Sequence, residues 1–242
     1  MKLTILGSCR QDSLYSAGYI CSCVHTDISF PHYSKDILEV IKFCKYGHLT
    51  KEQTLFTFML AIQNKKPIIF NEELKRDFES SDVFFVEIAS KIAYQYGNIY
   101  VHHIAAQPMY KVSIIDKIIQ RKQDKNEIEE DLISIKKELN GKLVVVSHIV
   151  TYERGERYVL SQWLEELCAK HSILFINPVR ELKLKGCDID KAVEKGEPVI
   201  HHYTEYGHKM IKDVYIEFAN IVSKMVQGEQ AINKEINRGL NE

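Results

Sequence analysis

Two possible nucleophiles, Ser8 and Cys9, stand together where the first apolar run of the chain ends. The run over residues 3–10, Leu-Thr-Ile-Leu-Gly-Ser-Cys-Arg, is typical of a buried strand of a parallel sheet, and Gly7 allows a sharp turn after it. Ligands of open α/β sheets bind beyond the carboxyl ends of the strands. A nucleophile there, ahead of a helix, has backbone N–H groups nearby that can hold an oxyanion. The alternative is a tight turn whose small polar residue caps the next helix.

A group of histidines lies near the other end of the chain, in His-His-Tyr-Thr-Glu-Tyr-Gly-His over residues 201–208. Thr204 is a suitable N-cap for a helix that follows. The pKa of histidine is close to neutrality, so a histidine held beside such a cap can accept and return a proton. A polar loop with solvated histidines is the alternative, and the serine at the end of the first strand favours chemistry over it.

Strands that alternate with helices must position these groups. We expect strands over residues 82–88, 142–149 and 173–177, possible extended structure over 67–70, and a hairpin over 90–103. Helices are predicted over residues 36–46, 51–64, 72–78, 158–171, 188–195 and 205–227, from about 12 to 23, and as one long helix or a pair over 114–139. The alternation predicts a doubly wound α/β/α sandwich as one domain over 1–227, with a helical insertion near 36–64, a hairpin insertion near 89–104 and a polar tail over 228–242.

The composition bounds the class of protein. The chain has 242 residues, 45% hydrophobic and 27% charged, with a formal net charge of −1. This balance predicts no general attraction to nucleic acid or to an anionic membrane. No apolar run approaches the roughly 18 residues that span a bilayer, and no signal peptide is recognised, so we expect a cytoplasmic protein. The six cysteines form no CxxC pair, and we expect reduced, mostly buried thiols.

Two motifs resemble those of the SGNH or GDSL-type hydrolases, in the Gly-Ser-Cys variant related to GSCFA-type proteins and capsule-biosynthesis acetyltransferases. One is Gly7-Ser8-Cys9 after the first strand, and the other is His-x-Thr-x-x-Gly, beginning at His202 and ending at Gly207. The resemblance implies a flavodoxin-like three-layer α/β/α sandwich with a mainly parallel sheet. It also implies acyl-ester hydrolysis or O-acyl transfer on a carbohydrate-type or small polar substrate, including polysaccharide biosynthesis. Ser8 would be the nucleophile and His202 its base, which serine chemistry requires.

The chain departs from the pattern of this family at two places. The family has an aspartate three residues before the histidine, and Val199 occupies that position here. Glu197 is then the candidate acid, with a Ser–His dyad or Glu87 as alternatives. The asparagine that supplies an oxyanion donor after the strand at 82–88 is also missing. The Ser8 N–H and the Ser90 hydroxyl are the remaining candidate donors.

Three further residues are candidates for the same site. Cys9 matches the cysteine of Gly-Asn-Cys acetyltransferases, and a thiolate at a helix N-terminus is a strong nucleophile, with a buried packing role as the alternative. Arg10 could hold an anionic substrate, or lie solvated at the start of a helix. His148 ends a strong strand and is expected at the same edge of the sheet as Ser8.

The sequence predicts no metal and no nucleotide-binding loop. The pairs His102-His103 and His201-His202 have no carboxylate at ligand spacing beside them, and neither a P-loop nor GxGxxG occurs. We expect no cofactor, with acyl-CoA as a donor if the protein is a transferase. The expected partner is a small molecule or glycan, and a homo-oligomer is left open. The competing hypothesis is a non-catalytic binding module that keeps the cleft.

Overall fold

A computed structural model describes residues 1–8, 10, 28, 30–196 and 200–239 of the protein. The described strands are β1 (Leu3–Leu6), β2 (Val83–Ile88), β3 (Ile92–Tyr96), β4 (Ile99–Tyr100), β5 (Ile119–Lys122), β6 (Leu143–Ser147), β7 (Leu174–Ile176), β8 (Val193–Gly196) and β9 (Ile200–Tyr203). The described helices are α1 (Ser34–Tyr46), α2 (Lys51–Thr57), α3 (Met59–Asn64), α4 (Glu72–Glu79), α5 (Lys125–Glu138), α6 (Glu156–Lys170), α7 (Pro178–Leu184), α8 (Ile189–Ala192) and α9 (Glu205–Gly239). Short 3₁₀ turns occupy His103–Ala106, Pro108–Tyr110 and Ile115–Lys117.

Four parallel strands in the order β1-β2-β6-β7 form the central sheet. The register pairs Leu6 with Val86, and Ile88 with Ser147, so the carboxyl ends of β1, β2 and β6 meet at one edge. Successive side chains of a strand point to opposite faces. Phe84 and Val86 accordingly belong to one apolar cluster, while Phe85 belongs to the other. A sheet that is apolar on both faces must be covered on both.

Helices cover the two faces and complete a three-layer α/β/α sandwich. One cluster holds the buried side of α1, α4, α5 and α6, and the other holds α7 and α9. Phe85 of β2 meets Tyr215 of α9 edge to face, with ring centroids 4.8 Å apart, an arrangement that aromatic pairs favour. The predicted fold class is confirmed. The helical segment near 36–64 forms α1, α2 and α3, and α1 packs against α5.

The predicted hairpin is present and has a third strand. Strands β3 and β4 pair as an antiparallel hairpin, and β5 adds to the other side of β3 in the order β4-β3-β5. The Tyr33 hydroxyl, at the start of α1, lies 2.9 Å from the Tyr94 carbonyl and 2.7 Å from that of Val101, which ties the hairpin to the main domain.

The hairpin β8–β9 brings the histidine motif back against α8. The Thr204 N–H donates to the Ala192 carbonyl at 3.0 Å, and the Thr204 hydroxyl accepts from the Gly207 N–H at 3.1 Å as the expected cap. A Cβ added at Gly207 would lie 1.9 Å from the Ala192 carbonyl oxygen. Only glycine lets the first turn of α9 approach so closely.

Several local predictions were wrong. The charged segment at 114–139 is not one long helix or a pair, because residues 119–122 pair with β3 and Asp124 caps α5 with its side chain. Residues 67–70 form no strand. The helix expected to end at 195 ends at Ala192, because the chain then enters β8. The polar tail over 228–242 stays a prediction as a separate unit, and α9 continues as helix to Gly239.

Two global expectations can be compared with the described part of the chain. Cys44, Cys168 and Cys187 are buried thiols outside any disulfide, as predicted for these three residues. The others, Cys9, Cys21 and Cys23, and the helix predicted from about residue 12, lie outside the described residues. Among the helices that the structure describes, none is long and apolar enough to cross a bilayer.

Candidate active site

A buried glutamate, Glu87, connects the ends of β1 and β2. Its side chain is 1% exposed and follows four apolar residues of β2. Both donors of Ser8 bind the same carboxylate oxygen, Oε2: the backbone N–H at 2.8 Å and the hydroxyl at 2.7 Å. Buried carboxylates are costly unless they are hydrogen-bonded. The turn at Gly7-Ser8 therefore supplies the hydrogen bonds to one of the two carboxylate oxygens.

His148, at the end of β6, binds the other carboxylate oxygen of Glu87. Its Nδ1 lies 2.8 Å from Glu87 Oε1, and its side chain is also 1% exposed. His148 comes directly after Ser147, which pairs with Ile88 in the parallel register. The expectation that His148 lies at the same edge as Ser8 is confirmed by these contacts. Serine, carboxylate and histidine thus form one continuous hydrogen-bonded chain, with the carboxylate in the middle.

The charges within this chain follow from its hydrogen bonds. Burial raises the pKa of Glu87, but the hydrogen bonds and charge of His148, together with the bonds from Ser8, outweigh burial and lower this pKa to about 2. Burial lowers the pKa of His148 to about 4, opposed by Glu87 and assisted by Arg10 and Arg157. At neutral pH the glutamate is therefore ionised and the histidine neutral.

A neutral His148 is restricted to one tautomer. Its Nδ1 carries the hydrogen, because the carboxylate of Glu87 can only accept. The lone pair then lies on Nε2, which is buried and has no hydrogen-bond partner among the described residues. In a nucleophilic triad, a carboxylate fixes the tautomer of the histidine and leaves its other nitrogen unpaired, so that this nitrogen can accept a proton. Glu87 and His148 have this arrangement.

Arg10 brings positive charge to the same turn. Its guanidinium Nη1 lies 3.4 Å from the Ser8 hydroxyl oxygen, and the residue is 6% exposed. Its charge lowers the pKa values of His32, His148 and His202, so these groups lie within electrostatic range of it. The interpretation of Arg10 as a solvated residue is wrong, because it is buried beside Ser8.

His202, the base that the sequence motif implies, lies exposed on β9 within electrostatic range of Arg10. The antiparallel register places Glu194 of β8 directly opposite it. Burial and Arg10 lower the pKa of His202, and Glu194 opposes them. The Ser8 hydroxyl donates to Glu87 and not to His202. The pairing of Ser8 with His202 therefore stays a prediction.

Two other predicted residues cannot be compared. Cys9 and the candidate acid Glu197 lie outside the described residues, as does Val199. The sequence reasoning missed Glu194 as an acidic neighbour of His202, because the β8–β9 pairing was not expected. It named Glu87 only as an acid from elsewhere, although a lone charge in an apolar strand signals a buried polar network.

The predicted oxyanion donors are partly engaged. The Ser8 N–H binds Glu87, and the N–H groups of Ala89 and Ser90 both donate to the His32 carbonyl, at 3.0 and 3.1 Å. The Ser90 hydroxyl oxygen accepts from the Ile92 N–H at 3.0 Å. Its own hydrogen is the donor that Ser90 can still offer.

Three histidine rings, those of His32, His102 and His103, lie close together. The ring of His103 lies 4.4 Å from the rings of both His32 and His102, measured between centroids. Burial is the main cause that lowers the pKa of His32 to about 3, that of His103 to about 4, and that of His102 well below its usual value. His102 Nε2 bonds to the Phe30 carbonyl at 2.7 Å, a structural contact. Within the described ranges no group of three His, Cys, Asp or Glu residues is arranged to hold a metal ion.

A cavity of about 510 Å³ opens beside the end of β2. Its lining includes His32, Ala89, Ser90 and Arg157 of α6. Ala89 comes two residues after Glu87, and Glu87 affects the pKa of His32. The cavity therefore lies near the carboxyl end of β2, and its volume suits a small-molecule ligand.

Comparison with known proteins gives similarity to solved structures alone. No protein-family model and no curated protein matches the sequence. An alpha/beta hydrolase enzyme from the metagenome of Lake Arreo, Spain, matches with a TM-score of 0.41 and 11% identity over 91% of this chain and 95% of that chain. An acetylxylan esterase from Geobacillus stearothermophilus matches with the same TM-score and identity over 90% and 93%. A member of the lipolytic protein G-D-S-L family from Veillonella parvula matches with a TM-score of 0.36 and 14% identity over 90% and 97%. At this level of similarity, the roles of individual residues do not transfer between chains.

Proposed function

We propose that the protein catalyses acyl-ester chemistry, either hydrolysis or O-acyl transfer, on a small polar or carbohydrate-type substrate at the edge where Ser8, Glu87 and His148 meet. The observation that carries the proposal is the open Nε2 of His148, whose tautomer Glu87 fixes. A neutral, oriented histidine is the base that a hydroxyl or thiol nucleophile requires. In the reaction, the nucleophile attacks the acyl carbonyl and its proton passes to His148 and then to the leaving group. Water or an acceptor hydroxyl then releases the acyl group.

The bonding of Ser8 bears on which nucleophile acts. Its hydroxyl hydrogen points to a carboxylate whose pKa is about 2, and such a weak base does not activate serine. In this state Ser8 holds Glu87 in place. The bonding therefore favours the second nucleophile of the turn, Cys9, as the group that carries the acyl intermediate, with Ser8 as the alternative that the sequence motif implies.

His202 is the alternative base. Its partner across the β8–β9 pair, Glu194, supplies the acidic neighbour that Val199 does not. Arg10, beside the Ser8 hydroxyl, supports the negative oxygen that forms on the acyl carbon, and the Ser90 hydroxyl is a second donor.

The test uses 4-nitrophenyl acetate hydrolysis together with covalent labelling by a fluorophosphonate and by iodoacetamide. We expect His148→Ala to lower kcat at least about 100-fold, the usual contribution of a general base, and His202→Ala to have a smaller effect. Labelling by iodoacetamide that Cys9→Ser abolishes supports the cysteine, and fluorophosphonate labelling that Ser8→Ala abolishes supports the serine. The matched control is His171→Ala, directly after the last residue of α6.

Two results would contradict the proposal. One is wild-type activity in His148→Ala, and the other is a wild-type protein that hydrolyses no ester and labels with neither reagent. The second result would favour the non-catalytic binding module.

A further inference from the structure

The cavity beside the site is lined by more cations than anions. Its lining includes four basic side chains and one acidic side chain, namely Lys91, Arg121, Lys122, Arg157 and Glu156. We refer to it as the cationic cavity. Its remaining walls include Tyr94 and Leu160, which offer an aromatic and an aliphatic surface.

A single carboxylate is shared between the two lysines. Glu156 binds Lys91 through one oxygen and Lys122 through the other, the latter at 2.7 Å. Lys91 is 5% exposed, and its ammonium lies 4.3 Å from the centroid of the Trp163 ring. Two ammonium groups on one carboxylate leave a net positive charge, and a buried ammonium is the more costly to leave without a full counter-charge.

A further basic side chain of the lining belongs to Arg157. Burial lowers the pKa of Arg157, and the charge of Arg10 adds to this effect, so the two guanidinium groups act on each other. Arg121 of β5 is balanced by Glu127, with Nη2 and Oε1 2.6 Å apart. The excess positive charge of the cationic cavity therefore lies at Lys91 and Lys122, which share one carboxylate.

Neutral polar groups also line the cationic cavity. His103 lines the cavity, and its Nδ1 is buried without a hydrogen-bond partner among the described residues. A buried polar atom without a partner is costly and is normally satisfied by a ligand or by water. Together with the Ser90 hydroxyl, His103 gives a polar surface next to the positive charges.

We propose that the cationic cavity binds the anionic part of the acyl substrate, a carboxylate or a phosphate, while its acyl group reaches His148. The inference names the substrate class of the proposed function and rests on it for the reaction. The binding of an anion by this cavity does not depend on turnover. Lys122 and Arg157 hold the anion, the wall at Tyr94 contacts the body of the substrate, and Glu156 is the internal counter-ion with which the anion competes.

Binding is measured by isothermal titration calorimetry with three unreactive amides: 4-acetamidobenzoate, 4-acetamidophenyl phosphate and neutral 4-acetamidobenzamide. We expect both anions to bind at least about tenfold more tightly than the neutral amide, and their affinity to fall with added KCl as exposed charges are screened. The carboxylate and the phosphate arms show which anion fits better.

Two substitutions of opposite sign test the charges. Lys122→Gln should weaken anion binding about two- to fivefold, and Glu156→Gln should strengthen it by a similar factor, the range of a partly exposed ion pair. Lys122 and Glu156 are exposed, so both variants should fold, which circular dichroism verifies. The matched controls Lys51→Gln and Glu153→Gln, at exposed positions outside the cavity, should leave binding unchanged.

Equal binding of the neutral amide and the anions would overturn the inference, as would a Glu156→Gln variant that binds anions no better than Glu153→Gln. Anion binding with the expected response to both substitutions, in a protein that hydrolyses no ester and labels with neither the fluorophosphonate nor iodoacetamide, would refute the proposed function and retain the anion site.

Discussion

The Ser8 hydroxyl oxygen lies 2.7 Å from Glu87 Oε2, and the Ser8 amide nitrogen lies 2.8 Å from the same atom. One residue at the end of β1 thus gives both of its donors to one oxygen of a buried carboxylate on β2. The other oxygen holds His148 at the end of β6. Three neighbouring strands are joined at their carboxyl ends by a single side chain.

The first prediction concerns this carboxylate. Both carboxylate oxygens of Glu87 accept hydrogen bonds, whereas the amide of Gln has one accepting oxygen and one donating NH₂ group. In Glu87→Gln, the donors of either Ser8 or His148 therefore face another donor. We expect a loss of about 2 to 4 kcal/mol in the free energy of unfolding, and Ser8→Ala should cost about 1 to 2 kcal/mol. Urea unfolding measures both, and the double variant should lose less than the sum because the residues share one bond network. Glu79→Gln, exposed at the end of α4, is the control and should be neutral. A Glu87→Gln variant as stable as the wild type would contradict the hydrogen-bond network of Ser8, Glu87 and His148.

The second prediction concerns the stability of the protein in acid. The pKa values of His148 and His103 are about 4 and that of His32 about 3, all lowered mainly by burial. The unfolded chain takes up protons on these histidines near pH 6.5, before the folded protein does. Stability should therefore fall as the pH drops from about 6.5 to 4, by up to about 1.4 kcal/mol per pH unit for each histidine.

Glu87 contributes in the same direction in a lower window. Its folded pKa of about 2 lies below its ordinary value of 4.5, so its contribution is present above 4.5 and is lost as the pH falls towards 2. Urea unfolding at pH 7.5, 6.5, 5.5 and 4.5 measures the slope for the histidines. His103→Gln should reduce this slope, and a flat profile from 7.5 to 4.5 would refute the assignment of neutral histidines.

The third prediction separates the two candidate bases by the pH dependence of kcat/KM. A base must be neutral to accept a proton, so activity is lost as the pH falls through its pKa. If His148 acts, the acidic limb should lie near pH 4, far below the ordinary 6.5. Glu194→Gln should leave this limb unchanged. If His202 acts, the limb lies below 6.5, because burial and Arg10 lower the pKa of His202, and Glu194→Gln moves it to still lower pH because Glu194 raises that pKa.

The fourth prediction concerns the close approach of α9 to α8. Gly207→Ala would place a Cβ 1.9 Å from the Ala192 carbonyl oxygen, so the backbone must move. We expect a loss of about 1 to 3 kcal/mol or more in stability, measured by thermal or urea unfolding. Gly228→Ala, in the same helix with open space around it, is the matched control and should stabilise by roughly 0.5 to 1 kcal/mol. Equal effects of the two substitutions would contradict the contact.

Apolar patterning was sufficient to predict the parallel sheet. Strands such as β2 and β6 are short, almost continuously apolar runs, and this pattern is typical of strands that are buried on both faces. Strand β5 could not be predicted, because its residues Ile119–Lys122 are mostly exposed and become a strand only by pairing with β3. Local sequence carries no signal for a pairing of that kind.

The site was predicted only in part, because apolar patterning reveals strand ends but not the contacts between them. Ser8 and His148 were expected at one edge because each ends a strand that the pattern reveals. The link between them depends on Glu87, which is 79 residues from Ser8 and 61 residues from His148 along the chain. The proximity of Glu194 to His202 depends on the β8–β9 register, which short polar strands do not reveal.

The His32 carbonyl accepts hydrogen bonds from two successive amides, those of Ala89 and Ser90. In hydrogen-exchange terms this shared acceptor makes the two amides a single opening unit. They are protected only while the segment before α1 stays docked on the end of β2, and its departure exposes both at once. Ala89 and Ser90 should therefore exchange with the same free energy of opening, and a ligand that fills the neighbouring cavity should slow both equally.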